Sequence, residues 1–81
     1  MTVSNLLRER YIQYRGYRIL VRSFHSGYLN ESRWTIQVDV AKGEAPPMLR
    51  HRDANHRFAS LAEAEQAGFA WGRDRVEEIL L

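Results

Sequence analysis

Hydrophobic and polar positions alternate most cleanly over residues 33–42, RWTIQVDVAK. There Trp34, Ile36, Val38 and Val40 share one face, and Thr35, Gln37, Asp39 and Ala41 share the other. A period of two puts successive side chains on opposite faces of a strand. One apolar and one polar face predict an antiparallel sheet with a dry side and a wet side. Residues 11–24, YIQYRGYRILVRSF, are rich in the aromatic and β-branched residues that suit strands. From Tyr17 onward they alternate, with Tyr17, Ile19 and Val21 on one side and Arg18, Leu20, Arg22 and Phe24 on the other. Gly16 interrupts this run and predicts a bulge or a sharp bend.

Turn-forming residues mark the connections. HSGYLNES, residues 25–32, reads as a loop, and KGEAPP, residues 42–47, reads as a turn where Pro46 and Pro47 end the ladder. Met48–Arg52 is predicted to pair as a third strand, with Asn55–Phe58 continuing it after a bulge. At the other end of the chain, residues 2–9, TVSNLLRE, can form a short helix capped by Ser4, although helices this short are marginal alone.

The period changes after Phe58. Ser60 followed by Glu63 fits a capping box, and a helix is predicted from Leu61 to Leu80. At 100° per residue, Leu61, Gly68, Gly72, Val76 and Ile79 form one stripe, flanked by Phe69 and Leu80 on one side and Ala64 and Trp71 on the other. A glycine inside a helix costs about 1 kcal/mol relative to alanine, yet two of them lie in the middle of this stripe. They predict a close helix–sheet contact, with Tyr17, Trp34 and Ile36 filling the space; a helix–helix seam in a dimer and a local kink are the other two readings. The expected core is Tyr17, Ile19, Trp34, Ile36, Val38, Phe58, Leu61, Val76 and Ile79. The chain is thus read as one α+β domain spanning residues 1–81. It is a three-stranded antiparallel sheet with a long C-terminal helix packed on one face, and a short N-terminal helix where residues 2–9 fold.

Composition narrows the chemistry. The 81 residues include no cysteine, which excludes disulfides, thiolate catalysis and cysteine-based zinc sites. No apolar run approaches the ~20 residues of a membrane span, and the first fifteen residues lack a signal-peptide pattern, so a cytoplasmic protein with no membrane partner is expected. His51 and His56 lie five apart with Asp53 between them, and His25 lies in another predicted loop. No helical zinc-ligand spacing, nucleophile elbow or glycine-rich phosphate loop is present. No metal, no cofactor and no enzymatic activity are expected.

Charge is more informative. Eleven of the twelve basic residues are arginine, a preference that either function or genomic composition can produce. Through Arg57 the chain carries a balance of +5, and from Phe58 onward −3. The wet strand face offers Arg18, Leu20, Arg22 and Phe24, and the segment RHRDANHR adds Arg50, Arg52 and Arg57. These seven form the candidate binding face. An apolar pair ringed by arginines has the composition of an interface centre with a polar rim. The function expected is a small non-enzymatic interaction or regulatory module that binds a protein partner or a second copy of itself. The alternative is single-stranded nucleic acid binding, by phosphate pairing and base stacking on the same arginines and aromatics. A third possibility involves no partner: Leu6 and Leu7 fold over Leu20 and Phe24 within one chain.

The order helix–β–β–β–helix is similar to that of double-stranded RNA-binding domains. In that family a lysine-rich motif opens the last helix; here the stretch is SLAEAEQAG, with Glu63 and Glu65 in place of cations. YRGYRI, RWTIQV and RFASLAEAEQAG more closely resemble the pieces of small uncharacterised bacterial proteins with a β-β-β-α plan. That resemblance implies a fold and no particular activity or site.

Overall fold

A computed structural model describes residues 3–28 and 33–81. Four antiparallel strands follow one another in sequence and in space: β1 (Val3–Tyr14), β2 (Tyr17–Tyr28), β3 (Trp34–Lys42) and β4 (Leu49–Phe58). One helix, α1 (Leu61–Leu80), follows and lies across β2 and β3 on one face of the sheet.

The sheet therefore has four strands where three are predicted, and the correction starts at Gly16. Tyr14 pairs directly with Tyr17, so Arg15 and Gly16 form a two-residue hairpin turn with φ of 52° and 85°. Two successive positive φ values give the turn whose twist matches paired strands, and Gly16 supplies one without strain. The predicted run 11–24 is split by this turn between two strands. Its first strand reaches back to Val3, so the N-terminal helix is not formed. The segment pairs along β2 from Tyr14↔Tyr17 to Val3↔Tyr28, and a full ladder outweighs the weak helical preference of eight residues. Likewise β2 runs on through His25–Tyr28, which reads as loop in the sequence; residues 29–32 of that predicted loop lie outside the described residues.

The predicted third strand is present as β4, bulge included. Ile36 pairs with Asp53 and Trp34 with Phe58, so residues 54–57 stand opposite the single Thr35. Asp53 stabilises the irregularity: its Oδ1 accepts hydrogen bonds from the backbone N–H of His56 (3.0 Å) and Asn55 (3.2 Å). Those bonds hold its carboxyl below the usual carboxylate range.

The dry face is as predicted in kind. Tyr17, Ile19, Val21, Ile36, Val38 and Val40 are buried against Ala64, Phe69 and Val76 of α1. Trp34 and Phe58 are half-buried at its edge, where His25 packs on Trp34 (ring centroids 5.0 Å) and His56 stacks on Phe58 (4.4 Å). Leu61 is half-buried, and Ile79 is 37% exposed rather than core. By Glu77 the helix has already reached the hairpin turn, so its last residues run past the end of the sheet.

Both glycines of the stripe sit hard against β2. A Cβ on Gly68 would lie 2.7 Å from both γ-methyl carbons of Val21, and one on Gly72 would collide with Cγ2 of Ile19. The close approach is real, and the side chains that fill it are Val21 and Ile19 rather than Tyr17, Trp34 and Ile36.

Caps complete the helix. Ser60 Oγ accepts from the Glu63 N–H at 3.1 Å, and Glu63 reaches back to the Ala59 N–H at 3.3 Å. Two carboxylates at the C-terminal end oppose the helix dipole, and each has a partner. Arg75 pairs with Glu78 at 2.9 Å. Tyr14 Oη donates to Glu77 Oε1 and Arg15 Nη1 to Glu77 Oε2, both at 2.6 Å. This clasp ties the hairpin turn to the helix. The Tyr14 hydrogen bond, then that of Arg15, holds the Glu77 carboxyl below its ordinary range. A depressed folded-state value means stability that is present above the unfolded value, about 4.3, and lost as pH falls through the folded one. Glu77→Gln is therefore expected to melt below wild type at neutral pH and to converge with it under acid. Parallel melting curves across pH 2–7 would show that the clasp contributes nothing.

Candidate functional site

The face of the sheet away from α1 is left uncovered by the helix, and the pairing register assigns its residues. Leu7, Phe24 and Thr35 form one row across the strands. Glu9, Arg22, Gln37 and Arg52 form the next; Tyr11, Leu20, Asp39 and Arg50 the third; and Gln13, Arg18 and Ala41 the fourth. Six of the seven candidate residues, Arg18, Leu20, Arg22, Phe24, Arg50 and Arg52, are thus brought together on one surface. Arg57 is the last residue of the bulge and borders the same face at its end.

The internal cover by Leu6 and Leu7 is not what the structure shows. β1 lies beside β2 in the plane of the sheet, which turns Leu6 to the helix side and sets Leu7 level with Phe24. Leu7 is 47% and Tyr11 60% exposed. These two β1 residues belong to the face; the sequence offers Leu7 as an addition to it, together with Leu6, and does not offer Tyr11. The alternation Leu7, Glu9, Tyr11 carries that signal, but only once β1 is known to be a strand.

Ion pairs join the middle rows. Arg22 Nε donates to Glu9 Oε2 at 2.8 Å, and its Nη1 lies 3.8 Å from Asp39 Oδ2. Arg50 donates to both oxygens of Asp39, at 2.9 and 3.0 Å. The fork of a guanidinium suits such two-point pairing, and it raises the Arg50 guanidinium above its ordinary value. Asp39 is 5% exposed, so this carboxylate is nearly out of solvent. Arg18 sits only loosely near Glu44, at 4.0 Å. Two of the four central arginines are therefore neutralised within the face.

The end of the face differs. The Arg52 guanidinium lies 4.6 Å above the centre of the Phe24 ring. It borders a groove of about 430 Å³ lined by residues that include Leu7, Phe24, Thr35, Arg33, Arg52 and Arg57. Around Leu20, bordered by Arg18, Arg22 and Arg50, lies a second depression of about 280 Å³.

The histidines are engaged elsewhere. His25 is buried beside Trp34, His51 stacks on Trp71 of the helix at 4.8 Å, and His56 stacks on Phe58. Among the described residues no group of three His, Asp or Glu is placed to hold a metal ion, and no helix is long and apolar enough to cross a membrane. No family model matches this chain, nor does any curated protein or solved structure.

Proposed function

We propose that this chain is a non-enzymatic interaction module that receives a protein partner on the uncovered face of its sheet. One observation carries the reading. Two apolar pairs, Leu7–Phe24 and Tyr11–Leu20, each joining an exposed residue of β1 to a half-buried one of β2, flank an ion-paired row led by Glu9 and Arg22. Tyrosine, phenylalanine and arginine are enriched in protein interfaces. A flat array of this composition on a rigid sheet offers a partner apolar area without reorganisation. Pairing of Arg22 and Arg50 with Glu9 and Asp39 favours a protein over a phosphate backbone, which would compete with carboxylates already in place.

A second reading, single-stranded nucleic acid, draws support from Arg52 stacked on Phe24 in a groove lined by three arginines. Selection of random peptides displayed on phage tests the first reading. Wild type is expected to enrich peptides that the doubly substituted Tyr11→Glu, Leu20→Glu chain, shown to be folded by circular dichroism, does not. Equal enrichment by both overturns the reading. Titration with a labelled oligothymidylate tests the second, since phosphate binding weakens steeply with added salt.

A further inference from the structure

The groove at the end of the sheet has a chemistry that selects among ligands. We infer that it takes a short acidic segment of the protein partner, with an apolar side chain on Leu7 and Phe24 and a carboxylate on Arg52. This rests on the docking reading above and names the chemistry of the partner at that face.

Charge complementarity supports this choice. The described residues lining the groove place Arg52 beside Leu7 and Phe24 and include no aspartate or glutamate. The carboxylates of the face, Glu9 and Asp39, serve Arg22 and Arg50 one or two rows away. Among the described residues Arg52 is bonded in no such pair; its guanidinium carbon lies over Phe24, 4.6 Å from the ring centre. A cation over an aromatic face is held there by the ring quadrupole. The N–H fork of a guanidinium matches the two oxygens of a carboxylate. Beside this anchor, Leu7 presents exposed apolar surface.

Four fluorescein-labelled probes test the inference by anisotropy with the full chain. They are a peptide of leucines flanked by aspartate and glutamate, the same peptide with lysines for the acids, the same with serines for the leucines, and an oligothymidylate of equal charge. The acidic leucine peptide is expected to bind at least about tenfold more tightly than the lysine peptide, the scale of one charge-assisted hydrogen-bonded pair. Arg52→Gln should remove roughly that factor, and Arg52→Lys, which keeps the charge without the planar fork, should restore only part of it. Arg52 is exposed, and an unchanged melting temperature in both variants would exclude misfolding as the cause. Equal binding of the acidic and lysine peptides, no loss on serine substitution, or tighter binding of the oligothymidylate overturns the inference. Phage selection separates the two failures. Face-dependent peptides that are not acidic sink the acidic segment and leave the docking reading standing; no face-dependent peptides at all sink both.

Discussion

Gly72→Ala is expected to destabilise the fold by about 1–3 kcal/mol, although alanine is the better helix former. The added Cβ would collide with Cγ2 of Ile19 and lie 3.1 Å from its Cδ1 and 3.2 Å from its Cγ1. Ile19 has no room to yield. It is fully buried, and its strand is paired on both sides, with Ile12 and with Val40. Its β-branched side chain is also stiff about χ1. The helix would have to lift away, opening the contacts of Val76 and Phe69 along with its own. In a domain this small, 1 kcal/mol moves the melting temperature by roughly 4–8 °C, so the loss is readily measured. Gly68→Leu, which drives a larger side chain at Val21, should cost as much or more. A double substitution isolates the cause: Ile19→Ala opens space under residue 72, so Gly72→Ala combined with it should cost less than the sum of the two single changes. A Gly72→Ala chain that melts at or above wild type would show that helix propensity outweighs the contact.

Asp39→Ala is the second large effect, and it reaches both stability and binding. The nearly buried carboxylate accepts two hydrogen bonds from Arg50 and lies within an ion-pair distance of Arg22. Breaking a fully buried pair costs about 3–5 kcal/mol, whereas exposed pairs contribute about 0–1. The side chains of Arg22 and Arg50 are 34% and 59% exposed, so water can take over much of the lost partnership. The expected loss is therefore intermediate, about 1–2 kcal/mol in chemical denaturation. At the same time the uncovered face becomes more basic. Oligothymidylate affinity should rise in Asp39→Ala, and its dependence on salt should steepen as more phosphate contacts form. An unchanged oligonucleotide titration would mean that the Asp39 carboxylate does not restrain Arg22 and Arg50 electrostatically.

Much of the architecture was legible along the chain, and the misses have a common cause. β3 and the first part of β2 keep one face apolar, at Trp34, Ile36, Val38 and Val40 and at Tyr17, Ile19 and Val21, because each buries a single side under the helix. Their assignment and facing follow from a period of two. The helix bounds, the capping pair and the close approach at Gly68 and Gly72 were legible too, since caps and stripes are local signals. β1 was not. Its helix side holds Leu6, Arg8, Arg10, Ile12 and Tyr14, and its other side Asn5, Leu7, Glu9, Tyr11 and Gln13. Neither side is uniformly apolar, because an edge strand is only partly covered. Gly16 signalled a sharp bend, but not that the bend is a hairpin between two strands: arginine is an unusual residue at positive φ, and its guanidinium finds a partner in Glu77 only in the folded state.

The sequence by itself determined which strand residues share a face, and so collected Arg18, Leu20, Arg22 and Phe24 on one side of a strand. Strand alternation is a property of the backbone and needs no tertiary contact. Only the tertiary structure decided what that face became. Register brought Arg50 onto Asp39 and Arg52 over Phe24, and β1 added Leu7, Glu9 and Tyr11 beside β2 instead of folding over it. The Arg50–Asp39 and Arg52–Phe24 contacts join residues 11 and 28 positions apart in the chain. They separate neutralised arginines in the middle of the face from the stacked arginine at its end, a distinction fixed by strand register rather than by any spacing along the chain.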